Sequence, residues 1–256
     1  MGSKIPPWKP ILQNIINENM KTNINSVHMQ FATYNSATLR PANRTVVFRG
    51  FAGEKSTHHN YDNSDGEPTP VVAVEPQIES GLLVITTDIR SQKIKHLSQN
   101  SSFEVAWWFT VTGEQVRLTG DAYILPHPSH PLLTAFPSKT LATHHFTPPT
   151  SAFNWETERI RFWHKISDEI RASFTRPTSG IPINEQEQEN CLEKLSAVGE
   201  TESEKEQVNK ALENFALIVM KVDAVDYLQL YATPNKRTKW SFDETTNQWV
   251  SIKVVP

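Results

Sequence analysis

The chain has 256 residues, 38% of them hydrophobic and 21% charged, with seven tryptophans and a net charge of −3. That length fits one domain with elaborations and a core that needs no covalent staples, and the single cysteine, Cys191, excludes an internal disulfide framework and fits a reducing, cytoplasmic compartment. No basic block marks a nucleic-acid or anionic-membrane surface, and no stretch reaches membrane-spanning length. The start carries no secretory run, and Pro6 stands where a myristoylation signal needs Ser or Thr.

In chain order, Pro10 suits a first helical position, and Trp8, Ile11, Leu12, Ile15 and Ile16 share one face of a helix expected over about 8–20, a lid or clasp on the core. From Val27 the period becomes two, with Val27, Met29 and Phe31 on one side. An Asn35-Ser36 turn then leads into a second strand, which predicts a hairpin. That strand reads Arg44-Thr45-Val46-Val47-Phe48-Arg49-Gly50-Phe51, an apolar run with a guanidinium at each end. An unpaired buried charge is costly, so each arginine must reach water, pair with Asp or Glu, or meet an anion such as a phosphate. Residues 53–70 are polar and rich in His, Asn, Asp, Gly and Pro, the pattern of a long mobile loop. Its adjacent His58 and His59 have no Cys or acidic residue at metal-ligand spacing, so no metal site is expected.

Gly81 to Thr87 reads as a buried strand that turns at Asp88-Ile89-Arg90-Ser91-Gln92-Lys93 into a short helix, with Ile94 and Leu97 inward and Asn100 as a stop. A helix start bearing Arg90, Ser91 and Lys93 offers unpaired N–H groups, a hydroxyl and cations, which is a phosphate cradle; alternatively Ser91 is only an N-cap and the cations are solvated. Phe103, Val105, Trp107 and Phe109 share one face of the next strand. After the Thr112-Gly113-Glu114 turn, Gln115, Arg117 and Thr119 form a polar face that looks onto a site, a partner subunit or water. The tandem Trp107-Trp108 suggests that both faces are covered. His127, His130, His144 and His145 sit in proline-broken loops and read as surface residues. A helix is expected from about Trp155 to Phe174, then an acidic stretch from Glu185 to Glu206, part loop and part solvated helix; Cys191 lacks a neighbouring base for a catalytic thiol. The helical and acidic elaboration spans about 155–214. Strands over Phe215 to Val222 and Val225 to Tyr231 and a Trp240/Trp249 hairpin complete the C-terminal β-hairpins of 215–256.

Taken together, the Arg44 strand, the Thr87-to-Lys93 turn, Glu114-Gln115-Val116-Arg117 and the closing hairpin resemble the FMN-binding split-barrel family of pyridoxamine 5'-phosphate oxidase, over most of the chain. The segment Arg161-Phe162-Trp163-His164-Lys165-Ile166-Ser167-Asp168-Glu169-Ile170-Arg171 and the form of the Arg44 strand look most like a less characterised branch of that family. The resemblance implies an α+β, mainly β fold, an FMN-binding split β-barrel with peripheral helices, in a homodimer with FMN at the subunit interface. It implies an oxidoreductase acting on an unidentified small molecule; a non-enzymatic FMN-binding or sensing protein and a true B6-vitamer oxidase are the alternatives. Carried over, Arg44 and Lys93 would bind the FMN phosphate with Ser91. Thr45, Val46 and Val47 would run along the flavin ring by their backbone, Thr86 and Thr87 would meet polar atoms of the cofactor, and Gln115 would reach the ring. Arg49 stands where the vitamin enzymes have a lysine. Strand parity puts it opposite Arg44, so both serve one flavin only across a twist, a bulge or the interface. Gln229 replaces a tryptophan on the flavin, and Gln92 replaces a basic residue that Arg90 would compensate. Asn235 and Arg237 occupy the positions of the substrate-binding Arg-x-His motif, with Lys239 at the FMN arginine that follows. No catalytic acid–base pair or nucleophile stands out.

Overall fold

The structure, a computed structural model, describes residues 5–54, 78–182 and 191–256. Most of the polar loop of 53–70, with His58 and His59, and the start of the acidic stretch therefore lie outside the described residues.

The N-terminal helix α1 spans Lys9–Met20, with Pro10 in its first turn. A short 3-10 turn leads to β1 (His28–Asn35), which pairs antiparallel with β2 (Arg40–Phe51), so the hairpin forms as its alternation predicts. After the two-residue β3 (Glu79–Ser80) come β4 (Leu83–Asp88), helix α2 (Gln92–Leu97), β5 (Ser102–Phe109) and β6 (Glu114–Leu125). Helices α3 (Ser138–His144), α4 (Trp155–Lys165) and α5 (Asp168–Ser173) follow, with the short β7 (Phe146–Thr147) between the first two. The chain ends with α6 (Glu202–Asn214), the long β8 (Phe215–Gln229), β9 (Lys236–Asp243) and β10 (Gln248–Val254).

Strands run β4-β2-β1-β5-β6 side by side, and β8 pairs with both β4 and β6, which closes a six-stranded antiparallel barrel. The second half of β8 leaves β4 and carries β9 and β10 as an extension. The fold is thus mainly β with peripheral helices. Inside the barrel, Met29 and Phe31 of β1 meet Val46 and Phe48 of β2 and the inward Phe103, Val105, Trp107 and Phe109 of β5. Trp107 satisfies its indole N–H on Ser26 O at 2.8 Å, as a buried indole must. A second core lies outside the barrel, where Val84, Leu217 and Val219 pack against Trp155, Phe162, Trp163 and Phe174 of the helical elaboration.

Two expected elements differ. The stretch from Trp155 to Phe174 is two helices, because Ser167 caps a new start at Asp168-Glu169, accepting from Ile170 N. Buried Arg171 then closes the first helix by donating to Trp163 O and Ile166 O, carbonyls its last turn leaves open. The two strands expected over Phe215 to Tyr231 are one strand, because β6 and β8 shift register at Thr119/Gly120, which absorbs Asp223 as a bulge. Gly120 is required there: a Cβ would stand 2.0 Å from Lys221 O.

Helix α1 is a fixed clasp. Leu12, Ile15 and Ile16 are buried, Lys9 pairs with Glu54 and lies over Phe51, and Asn19 accepts from Val111 N and donates to Thr112 Oγ1, pinning the β5–β6 turn. No helix among the described residues is long and apolar enough to cross a membrane.

Candidate functional site

Helix α2 stoppers one end of the barrel: Ile94 and Leu97 enter the core, and the turn before it brings Ser91 and Lys93 against β4. On β2, Arg44 shares the inward face of Val46 and Phe48, and its guanidinium bends over the same barrel end. Its Nη1 donates to Phe31 O at 3.0 Å, Ala42 O at 2.7 Å and Thr33 Oγ1 at 2.8 Å. Lys93 donates to Thr87 Oγ1 at 3.1 Å and Ser91 Oγ at 3.2 Å.

Among the described residues neither cation forms an ion pair, so the carboxylate pairing left open for Arg44 does not occur there. The cost is visible in their titration. Burial pulls the Lys93 ammonium below its ordinary value, Arg44 lowers it further, and Asp88 only partly opposes them. Burial lowers Arg44 as well. Nor does Ser91 act as a side-chain cap; although it holds the N-cap position, its hydroxyl turns to Thr87 and Lys93. Two desolvated cations, a spare hydroxyl and a buried Thr87 therefore converge where an anion would restore balance. That is a fit to a phosphate monoester.

Arg90 does not join this cluster. It grips Asp88 bidentately, with Nη2–Oδ2 at 2.6 Å, and donates to Phe174 O, which takes it toward α5. Gln92 points into solvent.

Most of the remaining candidates lie on the outer barrel face, with Thr45 and Val47 on β2; Val46 is buried inside. Arg49 also faces outward, at a register shift of β2 against β4 between Phe48 and Gly50, and donates to Thr86 Oγ1 at 3.3 Å. The parity conflict is thus real: Arg44 and Arg49 occupy opposite faces, and the bulge turns the chain inward again only at Phe51. Across β1 and β5 the same outer face carries exposed Trp108 beside Gln115, its partner on β6, and then Leu228 of β8. Trp108 is 42% exposed, so among the described residues only the inner of the tandem tryptophans is covered.

Lys239 sits opposite Asp226 on this face, 3.9 Å away, in a groove of about 520 Å³ that Glu104, Arg117, Val250 and Ile252 also line. Arg237 is held bidentately by Asp226, whose carboxyl that bonding keeps below the usual range. Gln229 lies at the far end of β8, where it and the Tyr227 hydroxyl both donate to buried Glu114. Burial first, and then Glu114, raises the Tyr227 phenol. The candidates therefore divide among the Arg44–Lys93 cluster, the outer face and the Glu114 corner, with Arg90 held by Asp88, Gln92 in solvent and Val46 in the core apart from all three.

Two members of the cluster escaped sequence reading, Thr33 and His96. The alternation that puts Met29 and Phe31 inward extends to Thr33, and a hydroxyl on a buried face was the available signal. Of the outlying histidines, His127 and His130 shape turns, accepting from Ser129 N and Leu132 N, while His144 and His145 end α3. Among the described residues no group of His, Cys, Asp and Glu could hold a metal.

Residues 5–126 match the family model described as pyridoxamine 5'-phosphate oxidase, FMN-binding domain. That span covers both halves of the cation cluster and ends as β6 does. Over its full length the chain is 27% identical to an Arabidopsis thaliana protein named pyridoxine/pyridoxamine 5'-phosphate oxidase 2, also covered in full, and 22% identical to an uncharacterized Saccharomyces cerevisiae protein, again covered in full. Among solved structures it resembles a pyridoxamine 5'-phosphate oxidase-related, FMN-binding protein of Nostoc punctiforme, with a TM-score of 0.67, 23% identity and complete coverage of both chains. It also resembles PhzG of Burkholderia lata, solved with tetrahydrophenazine-1-carboxylic acid, with a TM-score of 0.58 and 12% identity over 98% of this chain and 92% of that one. At those identities the two structures speak for the split-barrel fold.

Proposed function

We propose that this chain, whose residues 5–126 match the model of the pyridoxamine 5'-phosphate oxidase FMN-binding domain, binds FMN and works over its whole length as one FMN-dependent oxidoreductase unit on a small organic molecule. The observation that carries this reading is the cluster of Arg44 and Lys93, two desolvated cations without a carboxylate partner among the described residues. Arg44, Lys93 and Ser91 would hold the phosphate, with Thr87 orienting the ammonium. Backbone groups of Thr45 to Val47 would flank the ring, with Thr86 and Gln115 at its polar atoms and Arg49 at its edge. FMN supplies two-electron chemistry when bound, so the protein needs no nucleophile of its own. What the chain contributes is binding, orientation and exclusion of water.

The exposed Trp108 opposite Gln115, with exposed Leu230 and Tyr231 at the Gly113 turn, favours a second copy of the chain as cover for this face, with Gln229 and Lys239 reaching the neighbouring cofactor. The single cysteine fits a cytoplasmic setting. The B6-oxidase version is the weaker one. Asn235 and Arg237 replace its substrate motif, and Asp226 already neutralises Arg237. The same loss favours a second reading, a flavin-binding protein without turnover.

The test is the absorbance spectrum of protein reconstituted with excess FMN and dialysed, beside an Arg44→Ala/Lys93→Ala variant. Retained flavin bands in the wild type and their loss in the variant are expected; a colourless wild type defeats the reading. Bleaching by pyridoxine or pyridoxamine phosphate would then support a B6 oxidase, and bleaching by no donor would leave the flavin binder.

A further inference from the structure

The guanidinium of Arg44 does not reach the cluster alone. All its hydrogen bonds among the described residues use Nη1, so Nε and Nη2 remain for a ligand. One of the three acceptors is a side chain, Thr33 Oγ1, 3% exposed, and that hydroxyl lies 3.0 Å from Nδ1 of His96, itself 7% exposed. Arginine only donates, so Thr33 accepts from it and keeps its proton and a second lone pair for His96 Nδ1. With the ring neutral and its proton on Nε2, Nδ1 accepts the Thr33 proton and the chain runs in one direction. Burial and the charge of Arg44 both favour that neutral form.

Resting on the cofactor reading above, we propose that Thr33 and His96 are positioning residues for phosphate binding: a buried hydrogen-bond chain, Arg44 to Thr33 to His96, holds Nη1 so that Nε and Nη2 face the anion. The chain links three elements, β2, β1 and α2, and α2 is also the helix that delivers Lys93. The two cations are thereby held by one helix and one strand pair. Without Thr33 Oγ1, the guanidinium keeps two carbonyl acceptors, Phe31 O and Ala42 O, both near the strand, and loses the contact that sets its tilt.

The test uses the full chain and two probes, FMN and riboflavin, which lacks the phosphate. Thr33→Val removes the hydroxyl at constant shape, Thr33→Ser restores it, His96→Leu removes the acceptor, and His96→Asn supplies one near Nδ1. Binding is read by quenching of flavin fluorescence. Thr33→Val and His96→Leu are expected to weaken FMN roughly tenfold or more, the loss tied to a charge-assisted contact. Riboflavin affinity should move less than about twofold, and Thr33→Ser and His96→Asn should return close to wild type. Wild-type FMN affinity in both Thr33→Val and His96→Leu overturns the proposal, as does a parallel loss of FMN and riboflavin, which marks general damage. If Thr33→Val fails to fold, His96→Leu beside His96→Asn decides. A wild type that binds no FMN defeats the cofactor reading and this chain with it, whereas a flavin-binding wild type with indifferent variants defeats only the chain.

Discussion

Lys93→Met should make the protein more stable and less able to bind its cofactor. The ammonium is desolvated, sits near Arg44, and has no carboxylate partner among the described residues, so without an anion its charge is a net cost. Its two partners, Thr87 Oγ1 and Ser91 Oγ, lie 3.3 Å apart and keep each other when the ammonium is gone, so the substitution leaves no orphaned hydroxyl. Methionine retains the apolar stem. A gain on the order of 1 kcal/mol is expected, as for other relief of local strain in functional sites, or roughly 2–4 °C in melting temperature for a chain of this size. Losing one charge-assisted contact of about 1.5–3 kcal/mol weakens FMN roughly 10–150-fold.

The order of stability should therefore reverse with ligand. At an FMN concentration of about 100 times the wild-type Kd, the wild type gains about 2.7 kcal/mol and the variant only about 0.3–1.4. Thermal melts of apo and FMN-loaded proteins read both effects in one experiment. An apo variant less stable than wild type, or an unchanged order at saturating FMN, refutes the argument that Lys93 is held for an absent anion.

Arg90→Ala should leave FMN affinity within about threefold of wild type and lower stability by about 1 kcal/mol, because Arg90 serves Asp88 and the Phe174 carbonyl; a large loss of FMN in titration would return Arg90 to the cradle. His96 is held below its ordinary pKa of 6.5 by burial and by Arg44, the charged group acting on it. The folded state then binds fewer protons, so this contribution is fully present above about pH 6.5 and is lost as pH falls through the lower folded value. Melting temperature followed from about pH 8 to 5 should fall less in His96→Asn than in wild type, and equal slopes would contradict this. Lys165, driven down to about 8 mainly by burial, with Arg161 adding and Glu158 opposing, costs stability while it is charged. Lys165→Met should raise stability in denaturant melts at neutral pH, and the gain should shrink between about pH 8 and 10.5; a pH-independent difference would show that packing, not charge, is responsible.

Patterns with a short physical range were legible in the sequence. Period-two alternation placed Met29 and Phe31 inward, and the same rule placed Phe103 through Phe109, because a pleated strand can bury only one of its two faces. The same locality explains the misses. Ser167 competes for a helix start within an apolar pattern that runs on through it, and periodicity alone does not see the cap. Asp223 looked like a break because the partner strand that absorbs it, around Gly120, lies about a hundred residues away.

The sequence by itself named the residue types that a phosphate site would use, Arg44, Ser91 and Lys93 as cations and hydroxyl, and left open whether those charges meet an anion, a carboxylate or water. Only the tertiary structure decided which cations are spoken for. Arg90 and Arg44 look alike in the sequence, yet a carboxylate two residues away, Asp88, claims the first, while among the described residues the second meets only carbonyls and a hydroxyl. That outcome turns on distances of a few ångströms between β2, β1 and α2, which are set by closure of the barrel through β8 and not by any local run of residues. For the same reason Thr33 and His96, 63 positions apart, become one hydrogen-bonded unit only when the helix is seated in the barrel end.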